Sequence, residues 1–288
     1  MQLTRGSFQF RGLTLSYLFS NTSHTDNLIL AHANGFSAGC YQQHIAKFSK
    51  SFNVAALDFA GHGLSEGSLG FHSWDFFRDQ IEALQLHRGW ETCNLIGHSL
   101  GGASSIRYAI KNPDKVQKIV AWDPVLLSPL MIILGKIITI PLAKQAKARR
   151  QVFKSKILLA KVLRRHPGFK DWDEQVFEDY LTNCYKERPD NSLQLRCDPE
   201  IEARIFSITE LIPYLKLGTN QCPTLLIKPS PSEVCPRLAT KKLVKSNPFS
   251  QVREQKNFTH FFPFEQPLET IEQTMEFLKN DWTDHAQS

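Results

Sequence analysis

The sequence predicts an α/β protein: a mostly parallel sheet with helices on both faces, interrupted by an inserted helical cap. Three observations carry that expectation. Short, near-continuous apolar runs alternate with segments of helical spacing, as strands buried on both faces require. One of those runs leads through glycines straight into a helix at "NLIGHSLGGASS" (94–105). A long stretch, 125–213, breaks the alternation with helical patterns and no convincing strand. The chain has 288 residues, 42% of them hydrophobic, which is enough for a full core.

The elements follow in order. "LTLSYLFS" (13–20) alternates apolar and polar residues and reads as a strand. "NLILAHANG" (27–35) and "NVAALDFAGHG" (53–63) are short apolar runs that end in glycine turns. "WDFFRDQIEALQLH" (74–87) has helical spacing, and "CNLIG" (93–97) is a buried strand. "LGGASSIRYAIKNPD" (100–114) is a helix stopped at Asn112-Pro113. "VQKIVAWDP" (116–124) and "CPTLLIKPS" (222–230) are strands, and "PLETIEQTMEFLKND" (267–281) is a closing helix. The core is therefore expected at 1–124 and 214–288, with the cap at 125–213.

Charge is unevenly spread. The net charge is +6, yet 124–170 contains no Asp or Glu and eleven Lys or Arg, so the remainder is acidic. No nucleic-acid motif accompanies the basic segment, so no nucleic-acid partner is expected. Within it, "AKQAKARRQVFKSKILLAKVLRR" (143–165) sets Val152, Phe153, Ile157, Leu159, Ala160 and Leu163 among cations at helical spacing. That pattern fits a helix lying on an anionic membrane surface. It equally fits a solvated cap helix whose cations pair with carboxylates such as those of "DWDEQVFEDY" (171–180). The apolar "VLLSPLMIILGKIITIPLA" (125–143) carries Lys136, Pro129 and Pro141 and reads as a cap helix over a pocket rather than a span. The six cysteines show no metal spacing and read as reduced thiols; with no apolar leader at the N-terminus, a cytoplasmic location is expected, with peripheral contact at the inner membrane surface as the variant.

Gly97-His98-Ser99-Leu100-Gly101 fits G-x-S-x-G between a strand and a helix. The sharp turn exposes the serine hydroxyl at a helix N-terminus, where backbone N–H groups steady negative charge. A neutral serine is a poor nucleophile and needs a base. His260 lies late in the chain, between the last strand and the closing helix, and is the candidate. Two carboxylates compete for the acid. Glu233, in "KPSPSEVCP" (228–236), is slightly preferred on chain order. Asp123, about one helix and one strand after Ser99, is the rival. The oxyanion donors are expected to be the backbone N–H groups of Leu100 and Phe36, with Asn34 adding a side-chain N–H or only stabilising its turn.

The motifs together resemble the α/β-hydrolase superfamily, specifically cap-bearing serine hydrolases with an Ala-Asn-Gly-Phe oxyanion loop. "AHANGF" (31–36) is similar to the family's oxyanion loop, "LDFAGHGLS" (57–65) to its Asp-x-x-Gly-x-Gly-x-Ser turn, "GHSLGG" (97–102) to its elbow and "FTHFFPFEQP" (258–267) to its catalytic-histidine loop. Departures are Ala33-Asn34 where many relatives have glycine after the histidine, and the missing Gly-Asp after 222–228. The resemblance implies cleavage of an ester or thioester through an acyl-enzyme, with no metal or organic cofactor. A serine nucleophile counts against dehalogenase and epoxide-hydrolase chemistry. A cofactor-free haloperoxidase and a non-catalytic ligand-binding protein remain the alternatives. Phe36, Phe59, Trp122, Phe261 and Phe262 are expected near the sheet's mouth, with Trp122 and Phe261 lining a pocket for an apolar acyl or alkyl group. The oligomeric state is not read from the sequence.

Overall fold

The computed structural model describes residues 3–245 and 247–280, and within 133–140 the backbone alone. Among the described residues, eight strands form one sheet. They are β1 (Leu3–Phe10), β2 (Leu13–Ser20), β3 (Asn27–Ala31), β4 (Asn53–Leu57), β5 (Cys93–His98) and β6 (Val116–Trp122), then β10 (Thr224–Ser230) and β11 (Gln251–Lys256). Their order is β1-β2-β4-β3-β5-β6-β10-β11. β1 and β2 join antiparallel; from β4 to β11 every pairing is parallel.

Both faces of the sheet are covered, which explains the continuous apolar runs. Ile29, Leu95 and Ile119 face one core, shared with α2 (Asp75–His87) and α3 (Leu100–Lys111). Their neighbours Leu28, Leu30, Ile96 and Val120 face the other. That second core is closed by α1 (Gln42–Phe48) and, at the chain's end, by the helix Pro267–Lys279. The predicted last residue of that helix, Asp281, lies outside the described residues.

Between β6 and β10 run α4 (Pro129–Lys147), α5 (Lys156–Arg164), α6 (Glu174–Asn183), α7 (Pro199–Ser207) and α8 (Ile212–Lys216). The expectation of no strand here is corrected: β7 (Val152–Phe153), β8 (Tyr185–Glu187) and β9 (Leu193–Leu195) form a small antiparallel sheet. At two or three residues each, these strands are too short to show a period. The basic stretch 143–165 is also not one helix. α4 stops at Lys147, Val152–Phe153 is extended, and the Ser155 hydroxyl caps α5 by accepting from Leu158 N–H. Phe153 and Leu159 are buried but Ile157 is 82% exposed, so the proposed apolar face is split. Lys156, Arg164 and Lys170 pair with Glu178, Glu174 and Asp171, as the solvated-cap reading expects, and Lys147 pairs with Glu200. Lys136 falls among the side chains outside the described set. Among the described residues no helix is long and apolar enough to cross a membrane.

After β10 come α9 (Arg237–Lys245), α10 (Phe262–Glu265) and α11 (Pro267–Lys279). β1, β11, α1 and α9 were not singled out in the sequence. β11, "QVREQK", is a polar edge strand paired on one side only, so no apolar alternation marks it.

The elbow rests on close packing of α3 against β3. A Cβ on Gly101 would lie 2.1 Å from the Ala31 carbonyl oxygen, and one on Gly97 would lie 2.4 Å from Gly101 backbone. Backbone cannot swing aside as a side chain can. Gly101→Ala is therefore expected to lower stability at or beyond the top of the usual overpacking range of about 1–3 kcal/mol. Gly218→Ala, whose new carbon meets only Lys242 Cε at 3.4 Å, should change it by less than about 0.5 kcal/mol. Urea denaturation of both variants checks the contrast; equal effects would show that the elbow has slack.

Candidate active site

Ser99 sits between β5 and α3 with φ 55° and ψ −112°, a left-handed backbone that costs about 1–3 kcal/mol in a non-glycine residue. The strain is held by backbone bonds on both sides. Ser99 N–H donates to the Trp122 carbonyl at 2.9 Å, and the Ser99 carbonyl accepts from Ala103 at 3.0 Å and Val125 at 3.3 Å. The side chain opens at the first turn of α3, whose leading N–H groups have no helical acceptor.

Asp123 occupies the corresponding place one strand over, just past β6, with φ 38°. It is 1% exposed. Both its oxygens accept short hydrogen bonds. His260 Nδ1 donates to Oδ2 at 2.6 Å, and the Ser232 hydroxyl donates to Oδ1 at 2.6 Å. Ser232 Oγ in turn accepts from Cys235 N–H at 2.9 Å and Val234 N–H at 3.3 Å. A buried carboxylate is tolerated only with such partners. Glu233, the slightly preferred acid, is exposed on the same turn; its neighbour Ser232 points inward, and the turn presents the hydroxyl rather than the carboxylate to Asp123. The contact with His260 is made by Asp123.

His260 is 28% exposed at its side chain, with its ring centroid 5.0 Å from that of His98. Among the described residues no hydrogen bond joins the Ser99 hydroxyl to it. Fixing Nδ1–H on Asp123 leaves Nε2 as the basic nitrogen of a neutral ring. With Ser99 at the elbow, the three groups can perform nucleophilic acyl transfer.

The oxyanion expectations change. Phe36 N–H donates to the Ala33 carbonyl at 3.2 Å, so it is occupied by its own turn. The Asn34 amide is occupied too: Nδ2 donates to the Glu202 carbonyl of α7 at 3.1 Å, and Oδ1 lies 3.2 Å from His62 Nε2. Asn34 therefore ties its loop to α7. Among the described residues, the backbone N–H groups of Leu100 and Asn34 have no partner and are free to donate.

Residues of the segment between β6 and β10 close over this corner. Glu202 Oε1 lies where a Gly35 Cβ would meet it at 2.7 Å, and Arg149 Nη1 holds both Glu202 oxygens at 3.0 and 2.9 Å. Arg149 Nη2 also donates to the Tyr180 hydroxyl at 2.5 Å. Phe36 and Trp172 each pack at a tilt against Phe261 and Phe264 and against one another, with centroids 4.5 to 5.9 Å apart for the pairs involving Trp172. Phe261 is half-buried in this aromatic wall beside His260. Trp122 is corrected: it is fully buried, stacks on Tyr41 and donates Nε1–H to Thr274 Oγ1 at 3.1 Å, so it is core. Phe59 and Phe262 are fully buried as well. A separate cavity of about 220 Å³ lies behind Ser99, along α3, lined by Ala103, Arg107, Val125, Glu210 and Tyr214; the side chains of Ser99, Asp123 and His260 do not line it. Cys40 and Cys184 meet across the core–cap boundary with Sγ atoms 3.2 Å apart, a pairing that sequence separation hides.

Ser232, Tyr41 and the Arg149–Glu202 pair had no signal in the sequence, because each contact joins segments far apart in the chain. The motif histidines had one. His32 donates Nδ1–H to the Ala33 carbonyl at 2.7 Å and accepts from Phe59 N–H at 2.9 Å, supporting the oxyanion loop. A second proton would oppose the Phe59 N–H. Burial pushes His32 and His44 down to about 4 and His62 to about 3.

An unfolded histidine takes up its proton near pH 6.5, while these folded ones do so only near pH 4 or below. Between those values the unfolded chain binds more protons, so stability falls as pH falls. Each histidine should remove about 1.4 kcal/mol per pH unit in that window. Urea midpoints at pH 7.5, 6 and 5 should decline in that order; a flat series would show that these rings are hydrated.

Residues 22–266 match the protein family described as serine aminopeptidase, S33. The chain is 30% identical over 105 residues to a putative carbamate hydrolase, RutD, of Pantoea ananatis, covering 36% of this chain and 38% of that protein. It is 29% identical over 112 residues to the carboxylesterase YbfK of Bacillus subtilis, covering 36% of each. The matched part thus spans little over a third of these relatives. In structure, the chain is similar to an E-2-(acetamidomethylene)succinate hydrolase, with a TM-score of 0.83, 19% identity, and coverage of 97% of this chain and 100% of that one. At that identity the likeness speaks for the fold.

Proposed function

For a chain that belongs to the serine aminopeptidase S33 family of α/β-hydrolases, we propose serine hydrolase activity on an ester or thioester with a hydrophobic portion. The observation that carries the reading is the 2.6 Å contact between His260 Nδ1 and buried Asp123, one strand from the strained Ser99. Ser99 attacks the carbonyl as His260 Nε2 takes its proton. Asp123 holds the imidazole and stabilises its cation, and Ser232 keeps the other Asp123 oxygen satisfied. The free N–H groups of Leu100 and Asn34 are the oxyanion donors in this reading. His260 returns the proton to the leaving group, and water then releases the acyl group from Ser99.

The aromatic wall of Phe36, Trp172 and Phe261 supports an apolar acyl or alkyl group over a charged one. Residues 125–213 act as the cap that chooses it. A panel of aryl esters, acyl thioesters and aminoacyl anilides of graded chain length tests the substrate class. Longer acyl esters or thioesters should be turned over best; preference for the anilides would replace this reading with peptidase chemistry.

A fluorophosphonate probe should label the wild-type protein and leave Ser99→Ala unlabelled. Asp123→Asn should lower turnover by about 10⁴ if it acts as the aspartate of a serine-protease triad does. Glu233→Gln should leave turnover near wild type. Labelling of Ser99→Ala, or a larger loss at Glu233 than at Asp123, would overturn the assignment.

A further inference from the structure

His98 stands next to the nucleophile yet points away from it, and its two ring nitrogens bind two other loops. Nε2 lies 2.9 Å from the main-chain oxygen of His260. A carbonyl only accepts, so Nε2 carries the proton and Nδ1 is the acceptor. Nδ1 lies 2.8 Å from the Tyr41 hydroxyl, which therefore donates to it. The Tyr41 oxygen itself accepts from Ala33 N–H at 3.2 Å. Ala33, Tyr41 and His98 are buried, and burial holds His98 well below the ordinary histidine range, so the ring is neutral and only one tautomer satisfies both neighbours.

We propose that Tyr41 and His98 form a positioning relay that ties the His260 loop to the oxyanion loop and sets the place of the His260 ring over Ser99. The proposal rests on the reading of Ser99 and His260 as nucleophile and base. The chain runs from Ala33 N–H through the Tyr41 hydroxyl and the His98 ring to the His260 carbonyl, without touching a reacting atom. Its direction is fixed by the His260 carbonyl, which can only accept: His98 Nε2–H donates to it, Nδ1 accepts from the Tyr41 hydroxyl, and the Tyr41 oxygen accepts from Ala33 N–H. His44 supplies a second tether, donating Nε2–H to the Pro263 carbonyl at 2.9 Å, so the loop is held at two carbonyls three residues apart. The imidazole of His260 hangs between its own carbonyl, fixed by His98, and its Nδ1, fixed by Asp123.

The relay makes a prediction that a packing role does not. Tyr41→Phe keeps the ring stacked on Trp122 and tilted against Phe264 but removes the donor to Nδ1. The His260 carbonyl still requires Nε2–H, while Nδ1 loses its donor and the ring loses the contact that orients it. Nitrogen-15 NMR of wild-type protein should show His98 protonated at Nε2 alone, and Tyr41→Phe should keep that tautomer but shift the Nδ1 resonance as its hydrogen bond is lost. Turnover of Tyr41→Phe should fall about 10- to 100-fold with KM within about twofold, as displacement of a catalytic group without loss of substrate contacts requires. His98→Gln, whose amide N–H can reach the His260 carbonyl, should retain more turnover than His98→Leu. A wild-type His98 protonated at Nδ1 overturns the proposal. So does a Tyr41→Phe variant with wild-type turnover, or with Gln and Leu at 98 equally impaired. Absence of fluorophosphonate labelling in the wild type would instead overturn the underlying assignment of Ser99, and the tautomer measurement would still decide whether the hydrogen-bond chain exists.

Discussion

The approach of α3 to β3 at Gly101 is the constraint on which the site depends. With no side chain there, the first turn of α3 seats against the Ala31 carbonyl, 2.1 Å from where a Cβ would be. That contact forces the turn at Ser99 to be sharp and puts its φ at 55°. It also brings the unpaired N–H groups at the start of α3 beside the loop after β3. The serine, the helix end and the oxyanion loop are thus products of one packing contact, and the glycines of the elbow are spatial requirements before they are a motif.

The segment between β6 and β10 is joined to the same place by polar contacts as well as by aromatic ones. Asn34 gives its amide to the Glu202 carbonyl, and Glu202 gives its carboxylate to Arg149. A buried ion pair stabilises weakly once desolvation is counted, yet it fixes geometry, because either partner alone is costly. The orientation of α4 and α7 over Gly35 is therefore specified by charge, while Trp172 and Phe36 fill the space beside it. Four of the nine cations in 143–165, Lys147, Arg149, Lys156 and Arg164, pair with Glu200, Glu202, Glu178 and Glu174.

What was legible in the sequence was local. The runs at 27–31, 53–57, 93–97 and 116–122 announce buried parallel strands because both of their faces are apolar. Ser99 was readable because strand, glycine and helix are contiguous there, and His260 because it falls between the last expected strand, 222–230, and the closing helix in a loop that resembles the family's histidine loop. The partner of His260 was not readable. Asp123 and Glu233 both end strands that neighbour each other in the sheet, and only the inward turn of Ser232 distinguishes them. Trp122 was misplaced for a related reason: its strand position is at the sheet's mouth, but strand side chains alternate, and this one faces α11. The split of 143–165 into helix, strand and helix was hidden because a serine cap and a two-residue strand leave almost no periodic trace.

β5 and β6 are paired in register at His98 and Trp122, so Ser99 and Asp123 directly follow the last pair of the ladder. Their separation is set by the spacing of adjacent strands, about 4.8 Å between backbones, and not by a loop. On the proposed assignment, nucleophile and acid follow adjacent strands and the base is the one member carried on a separate loop. The turn after β10 then needs to keep only a small hydroxyl aimed at Asp123. Such a turn can accept changes of length and sequence that would destroy a site whose acid it had to carry, which makes it the natural place to graft new contacts at the rim without redesigning the chemistry.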